Sequence, residues 1–192
     1  MRPPDPAHPA IALLELASIA QGYFLADLVI KKAPVHLLEA DAVSPGKFLL
    51  LFSGDVASVR ESHEAALACG AGEVIDTLFL PHVHAQVPAA LAGETLEASL
   101  DAVGVYELFT VASAIACADA ALKAADIRLL TLRIARGIGG KAFFTLTGSQ
   151  SDVEAALEAA DQLAVPGGTR VRRIVIPNPH GEFLSWLQPP RH

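Results

Sequence analysis

"LLELASIAQGYFLADLVIKKAPVHLL" (residues 13–38) and "VYELFTVASAIACADAALKAADIRLL" (residues 105–130) decide how this chain is read. Laid over each other without a gap, they put Glu15 on Glu107, Asp27 on Asp119 and Lys31 on Lys123. With two residues added to the second copy, Gly46-Lys47 falls on Gly140-Lys141, Gly54 on Gly148 and Val59 on Val153. Glu64-Ala65-Ala66 then falls on Glu158-Ala159-Ala160. After two more residues, "LPHVH" (80–84) falls on "IPNPH" (176–180). So many anchors in one order make the chain a tandem repeat, which has to be recognised before any single motif is weighed.

Each copy predicts the same series of elements. A short apolar strand comes first ("IALLEL", "AVGVYEL"). A helix follows, because Val111, Ile115, Ala118, Leu122 and Ala125 recur at helical spacing, as do Ile19, Tyr23, Ala26, Ile30 and Ala33. That spacing predicts one apolar helical face in both copies. Two strands come next ("VHLLEA" and "KFLLLF"; "IRLLTLRI" and "KAFFTL"), joined by a glycine loop. A second helix opens at a polar cap, Asp55 or Ser149, and carries Val153, Leu157, Ala160 and Ala164 on one face. The last strand ("VIDTLFL", "RRIVIP") runs into proline. The expected fold is therefore α/β of the α+β, ferredoxin-like kind, two tandem β-α-β-β-α-β domains in unpermuted order. Expected bounds are 10–97 and 98–188, with the boundary near "GETLEASLD" (93–101) and a Pro-rich tail at 1–9.

Composition narrows the function. Apolar residues make up 52% of the 192 and charged residues 18%, which excludes disorder for most of the length. So little charge for covering surface favours burial of some outside faces against other subunits. A net charge of -7 argues against nucleic acid and anionic membranes as partners. No apolar run approaches the roughly 20 residues of a membrane span. The opening "MRPPDPAHPA" lacks the apolar core of a secretory signal. Two cysteines make no disulfide framework, and reduced thiols in the cytoplasm are the expectation. Cys69 and Cys117 read as small core residues.

The anchors resemble the bacterial microcompartment shell-protein family. Its pattern appears here as Glu15, "DLVIKKA", "SPGK", "GD" and "PHVH", and again as Glu107, "DAALKAA", "GIGGK", "GS" and "PNPH". Two copies in one chain are similar to the family's tandem-domain subclass, whose members form pseudohexameric trimers. The resemblance implies a structural protein of the shell, not an enzyme. It implies a homotrimer that tiles in the cytoplasm with hexameric and pentameric shell proteins, around encapsulated enzymes. It also implies a central pore for small polar metabolites, lined by the glycine loops: Ser44, Pro45 and Gly46 in one copy, Gly137, Ile138, Gly139 and Gly140 in the other. Glycine suits loops converging on an axis, because the backbone can approach closely. The alternative for these loops is an ordinary turn.

In the propanediol-utilisation branch of that subclass, a cysteine before Pro-Gly-Lys holds an iron–sulfur cluster. Here the position is Ser44, and a hydroxyl is a poor cluster ligand. No cofactor is therefore expected. A shell protein that transfers electrons through a metal centre in the pore stays as an alternative, as does a metabolite-binding α/β regulator.

The resemblance assigns Lys31 and Lys123 to the lateral edge between assemblies, where a lysine at a helix C-terminus is otherwise favoured by the macrodipole. The family's arginine at the same seam is replaced by His82 and Asn178, neither of which offers a bidentate fork. His82 and His84 have a spacing that suits zinc, but no third ligand lies nearby, and no metal site is expected. Glu15 and Glu107, one per copy, read as structural residues at the subunit seam rather than as an acid–base pair. No P-loop, dinucleotide fingerprint or nucleophile elbow is present.

Overall fold

The computed structural model describes residues 10–94 and 101–187. The expected tail at 1–9, and residues 95–100 of the expected boundary, lie outside them. The first copy runs β1 (Ala10–Leu16), α1 (Ile19–Lys32), β2 (His36–Val43), β3 (Lys47–Gly54), α2 (Val56–Gly70) and β4 (Val74–Leu80). A short helix α3 (Gln86–Leu91) follows. The second copy runs β5 (Ala102–Leu108), α4 (Val111–Ala124), β6 (Arg128–Ile134), β7 (Ala142–Gly148), α5 (Gln150–Ala164) and β8 (Arg170–Pro177), then α6 (Gly181–Leu187). Each copy builds its own antiparallel sheet, ordered β2-β3-β1-β4 and β6-β7-β5-β8. This is the predicted ferredoxin-like arrangement, made twice.

The chain divides into two compact units. One holds the described residues up to Val83 together with Ala135–Gly140; the other holds His84–Ile134 and the residues from Lys141 onward.

The strands pair as the repeat demands. β1 lies antiparallel to β3, with Leu14 opposite Leu50, and β5 to β7, with Tyr106 opposite Phe144. In the first unit, Ala10, Ala12, Leu14 and Leu16 of β1 join Phe48, Leu50 and Phe52 of β3, and Leu25, Ala26 and Val29 of α1 close over them. Burying a side chain such as Leu25 contributes roughly 1.5–3 kcal/mol. The expected caps form: Asp55 accepts hydrogen bonds from the Ala57 and Ser58 amides, and Ser149 from the Asp152 amide. Val153, Leu157, Ala160 and Ala164 all face the core.

One volume trade separates the copies. A Cβ on Gly22 would stand 2.2 Å from Phe48 Cγ, so helix α1 fits over that ring only without a side chain there. In the second copy the counterparts are Ala114 and Ala142, both fully buried. Glycine against phenylalanine has become alanine against alanine, which conserves space in a close-packed interior.

Two expectations are corrected. The predicted apolar face of α1 is buried only at Ala26 and Ala33: Ile19, Tyr23 and Ile30 are exposed, and Gly22, Leu25 and Val29 complete the buried side. The matching face of α4 (Val111, Ile115, Ala118, Leu122) is buried as expected. The physical difference is α3, which packs across α4 and β6 and buries Val87, Ala90 and Leu91 there. Cys69, read as core, is exposed, because the buried stripe of α2 (Val59, Ser62, His63, Ala66, Gly70) turns away from it. Cys117 is buried as expected. Neither α3 nor α6 was expected from the sequence; short helices bearing proline or glycine show too few turns of periodicity.

Candidate functional site

The two glycine loops come together. Ser44, Pro45 and Gly46 form an exposed three-residue turn between β2 and β3, closed by a Gly46 amide to Val43 carbonyl bond of 2.8 Å. Residues 135–140 of the loop between β6 and β7 pack in the same compact unit as that turn. A Cβ on Gly140 would stand 2.9 Å from Pro45 Cδ and 3.0 Å from the Ser44 carbonyl oxygen. Glycine is thus required at 140 twice over, by this approach and by a φ of 79°. Gly137 and Gly139 also have positive φ and are exposed, while Ile138 is half-buried.

An arginine locks this junction. The terminal guanidinium nitrogen of Arg136 donates to Glu39 Oε1 and, at 3.1 Å, to Asp41 Oδ2, both on β2. The Glu39 carboxylate, by hydrogen bond and charge, holds the guanidinium still more firmly protonated. Sequence reasoning missed this group. The signal was the two added residues that restore register before Gly140-Lys141: they fall at Ala135-Arg136, so Arg136 has no counterpart in the first copy.

A second repeated pair also went unread. Lys47, which opens β3, donates to Glu15 Oε2 at 3.3 Å, and Lys141 donates to Glu107 Oε1 at 2.9 Å. Each Gly-Lys motif therefore returns its lysine to the glutamate of the neighbouring strand. Glu15 is fully buried and Glu107 partly so. A buried carboxylate that kept no cation would carry a large desolvation cost, which gives these glutamates a structural task within their own halves.

The expected edge residues stand at corresponding places in the two copies. Lys31 and Lys123 close the last turns of α1 and α4 and pair with Asp27 at 2.6 Å and Asp119 at 2.5 Å. His82 and Asn178 lie exposed just past β4 and β8. His84 is used locally: its amide donates to Asp119 Oδ1 at 2.7 Å, and its Nδ1 accepts from the Gln86 amide at 3.3 Å. Among the described residues, no group of three His, Cys, Asp or Glu is placed to hold a metal ion.

The BMC domain matches residues 10–83 and again 102–179. The chain belongs to the BMC-domain family. Both BMC domains span the strands and helices that carry the loops just described. Among curated proteins, the chain is similar to the bacterial microcompartment shell protein PduT of Citrobacter freundii, with 40% identity over 179 residues, 93% of this chain and 96% of that protein. Among solved structures, it is similar to a microcompartment protein from Desulfitobacterium hafniense, at 43% identity and a TM-score of 0.83, covering 92% and 98% of the two chains. A fused permuted hexameric shell protein of the RMM microcompartment aligns with a TM-score of 0.63 over 84% of each chain; at 23% identity it speaks for the fold alone. That shell protein is a permuted one, whereas both domains here keep the unpermuted order.

Proposed function

We propose that this chain is a structural shell protein of a bacterial microcompartment in the cytoplasm, and that three copies form a pseudohexameric ring around a pore. The observation that carries the reading is the repeat itself: one chain supplies two BMC domains of the same topology, each with its own glycine loop. Three chains then supply six domains, and a closed ring satisfies every repeated edge. Its partners are hexameric and pentameric shell proteins, with enzymes enclosed behind them.

The pore lining is Ser44, Pro45 and Gly46 alternating with Gly137, Ile138, Gly139 and Gly140. Ser44 presents a hydroxyl and Ile138 an apolar wall, while the glycines leave backbone groups open to a polar solute. Small polar metabolites pass by size and lining, without catalysis. Lys31, Lys123, His82 and Asn178 form the lateral edge toward neighbouring discs. Sedimentation equilibrium of the purified chain tests the ring: a mass three times the monomer is expected, and a monomer at all concentrations overturns it. A crystal of the assembly with the glycine loops away from the three-fold axis overturns the pore.

A further inference from the structure

Among the described residues, one face of the first copy stays exposed, as do the apolar side chains of one helix in the second. In the second compact unit, α3 lies on α4 and β6. Val87, Ala90 and Leu91 are buried there, the His84 amide bonds Asp119, and Gln86 Oε1 accepts from the Leu129 amide at 2.9 Å. The repeat aligns α6 with α3: His180 with His84, Glu182 with Gln86, Phe183 with Val87 and Trp186 with Ala90. Three of the apolar positions that α3 buries carry, in α6, a 39% exposed Phe183, an 80% exposed Trp186 and a half-exposed Leu187. The same alignment matches α1 to α4. Here Ile19, Tyr23 and Ile30, exposed by 38%, 61% and 50%, stand where Val111, Ile115 and Leu122 are buried.

We propose that the exposed face of α1 is the seat of α6 from a second copy of this chain. The inference rests on the ring of three, and it names a contact that closes it: within the chain the connector after the first domain covers the second domain's helix, and the segment after the second domain covers the next chain's first helix. Polar partners repeat as well. Asp27 is the counterpart of Asp119 and receives the His180 amide; Glu182 is the counterpart of Gln86 and receives the Leu37 amide, as Gln86 does from Leu129. Exposed aromatic rings stand on both surfaces, Phe183 and Trp186 on the helix and Tyr23 on the seat, and such rings bury much area when they pair.

Trp186 is the chain's one tryptophan, so its fluorescence reads the contact directly. Acrylamide quenching of the full chain is measured across a dilution series, with sedimentation velocity on the same samples. The expected result is a trimer whose tryptophan is protected several-fold with a blue-shifted emission, and loss of both on dilution to monomer. The double substitution Tyr23→Lys with Ile30→Lys, at two exposed positions, should raise quenching to the free level and weaken the trimer while leaving circular dichroism unchanged. A wild-type trimer with a freely quenched Trp186 overturns this seat and leaves the ring standing. Protection that persists in the monomer means α6 docks on its own chain, and also overturns it. A chain that never trimerises overturns both readings.

Discussion

Arg136 reaches across from the loop before β7 and holds the carboxylates of Glu39 and Asp41 with one guanidinium nitrogen. It is the cross-link that fixes residues 135–140 against strand β2 of the first unit. Arg136→Ala should cost no more than about 1 kcal/mol of global stability, since the arginine is exposed and the pairs are screened. Its local effect should be larger. Hydrogen exchange read by mass spectrometry should show the amides of Gly137–Gly140 exchanging faster in the variant, with the strand amides unchanged. Equal exchange in both proteins would deny the arginine its locking role.

Gly22→Ala should destabilise the chain by about 1–3 kcal/mol, as overpacking against Phe48 does. Phe48→Ala alone should cost roughly 3–5 kcal/mol. The double variant recreates the alanine pair of the second copy and should cost clearly less than the sum. Chemical denaturation of the three variants gives the coupling; strict additivity contradicts the volume trade.

The His63 ring is buried on α2, 2.6 Å from the Thr77 hydroxyl and stacked on Phe79. Burial pushes its pKa below 6.5. The folded state therefore binds fewer protons than the unfolded chain as pH falls through that value, so this contribution to stability is complete above pH 6.5 and is lost on acidification. Urea unfolding of wild type and His63→Leu, which installs the residue found at Leu157, should show a shallower acid loss in the variant.

The two thiols should behave oppositely. Cys69 is exposed and should react with a thiol reagent in the native chain. Cys117 is buried, its Sγ–H directed at the Ala160 carbonyl oxygen, and desolvation pushes its pKa up to about 12. It should react only after unfolding, so one equivalent is titrated in buffer and two in denaturant. Two fast equivalents in buffer would contradict the packing of α4.

The fold was legible because the repeat doubled every weak signal. Neither "KFLLLF" nor "KAFFTL" separates a strand from a buried helix on its own, but their shared Gly-Lys start and Gly end do. The glycine loops were legible for the same reason, and Gly140 lies against Pro45. What escaped was whatever the copies do not share. Arg136 sits on the two-residue insertion. The exposed face of α1 escaped because periodicity reports that a face is apolar, not what lies against it. The lysine–glutamate pairs were visible as four repeated residues, yet nothing local says that a lysine opening β3 reaches back to β1.

The six residues of α3 make the connector more than a tether. A fragment starting at residue 102, where the second match to the family begins, would carry α4 without its cover. Val111, Ile115 and Leu122 would then meet water as one contiguous apolar patch, of the kind that draws chains into aggregates. Cutting ahead of His84 keeps the cover with the helix it shields. Solubility therefore divides this protein at a different place from homology.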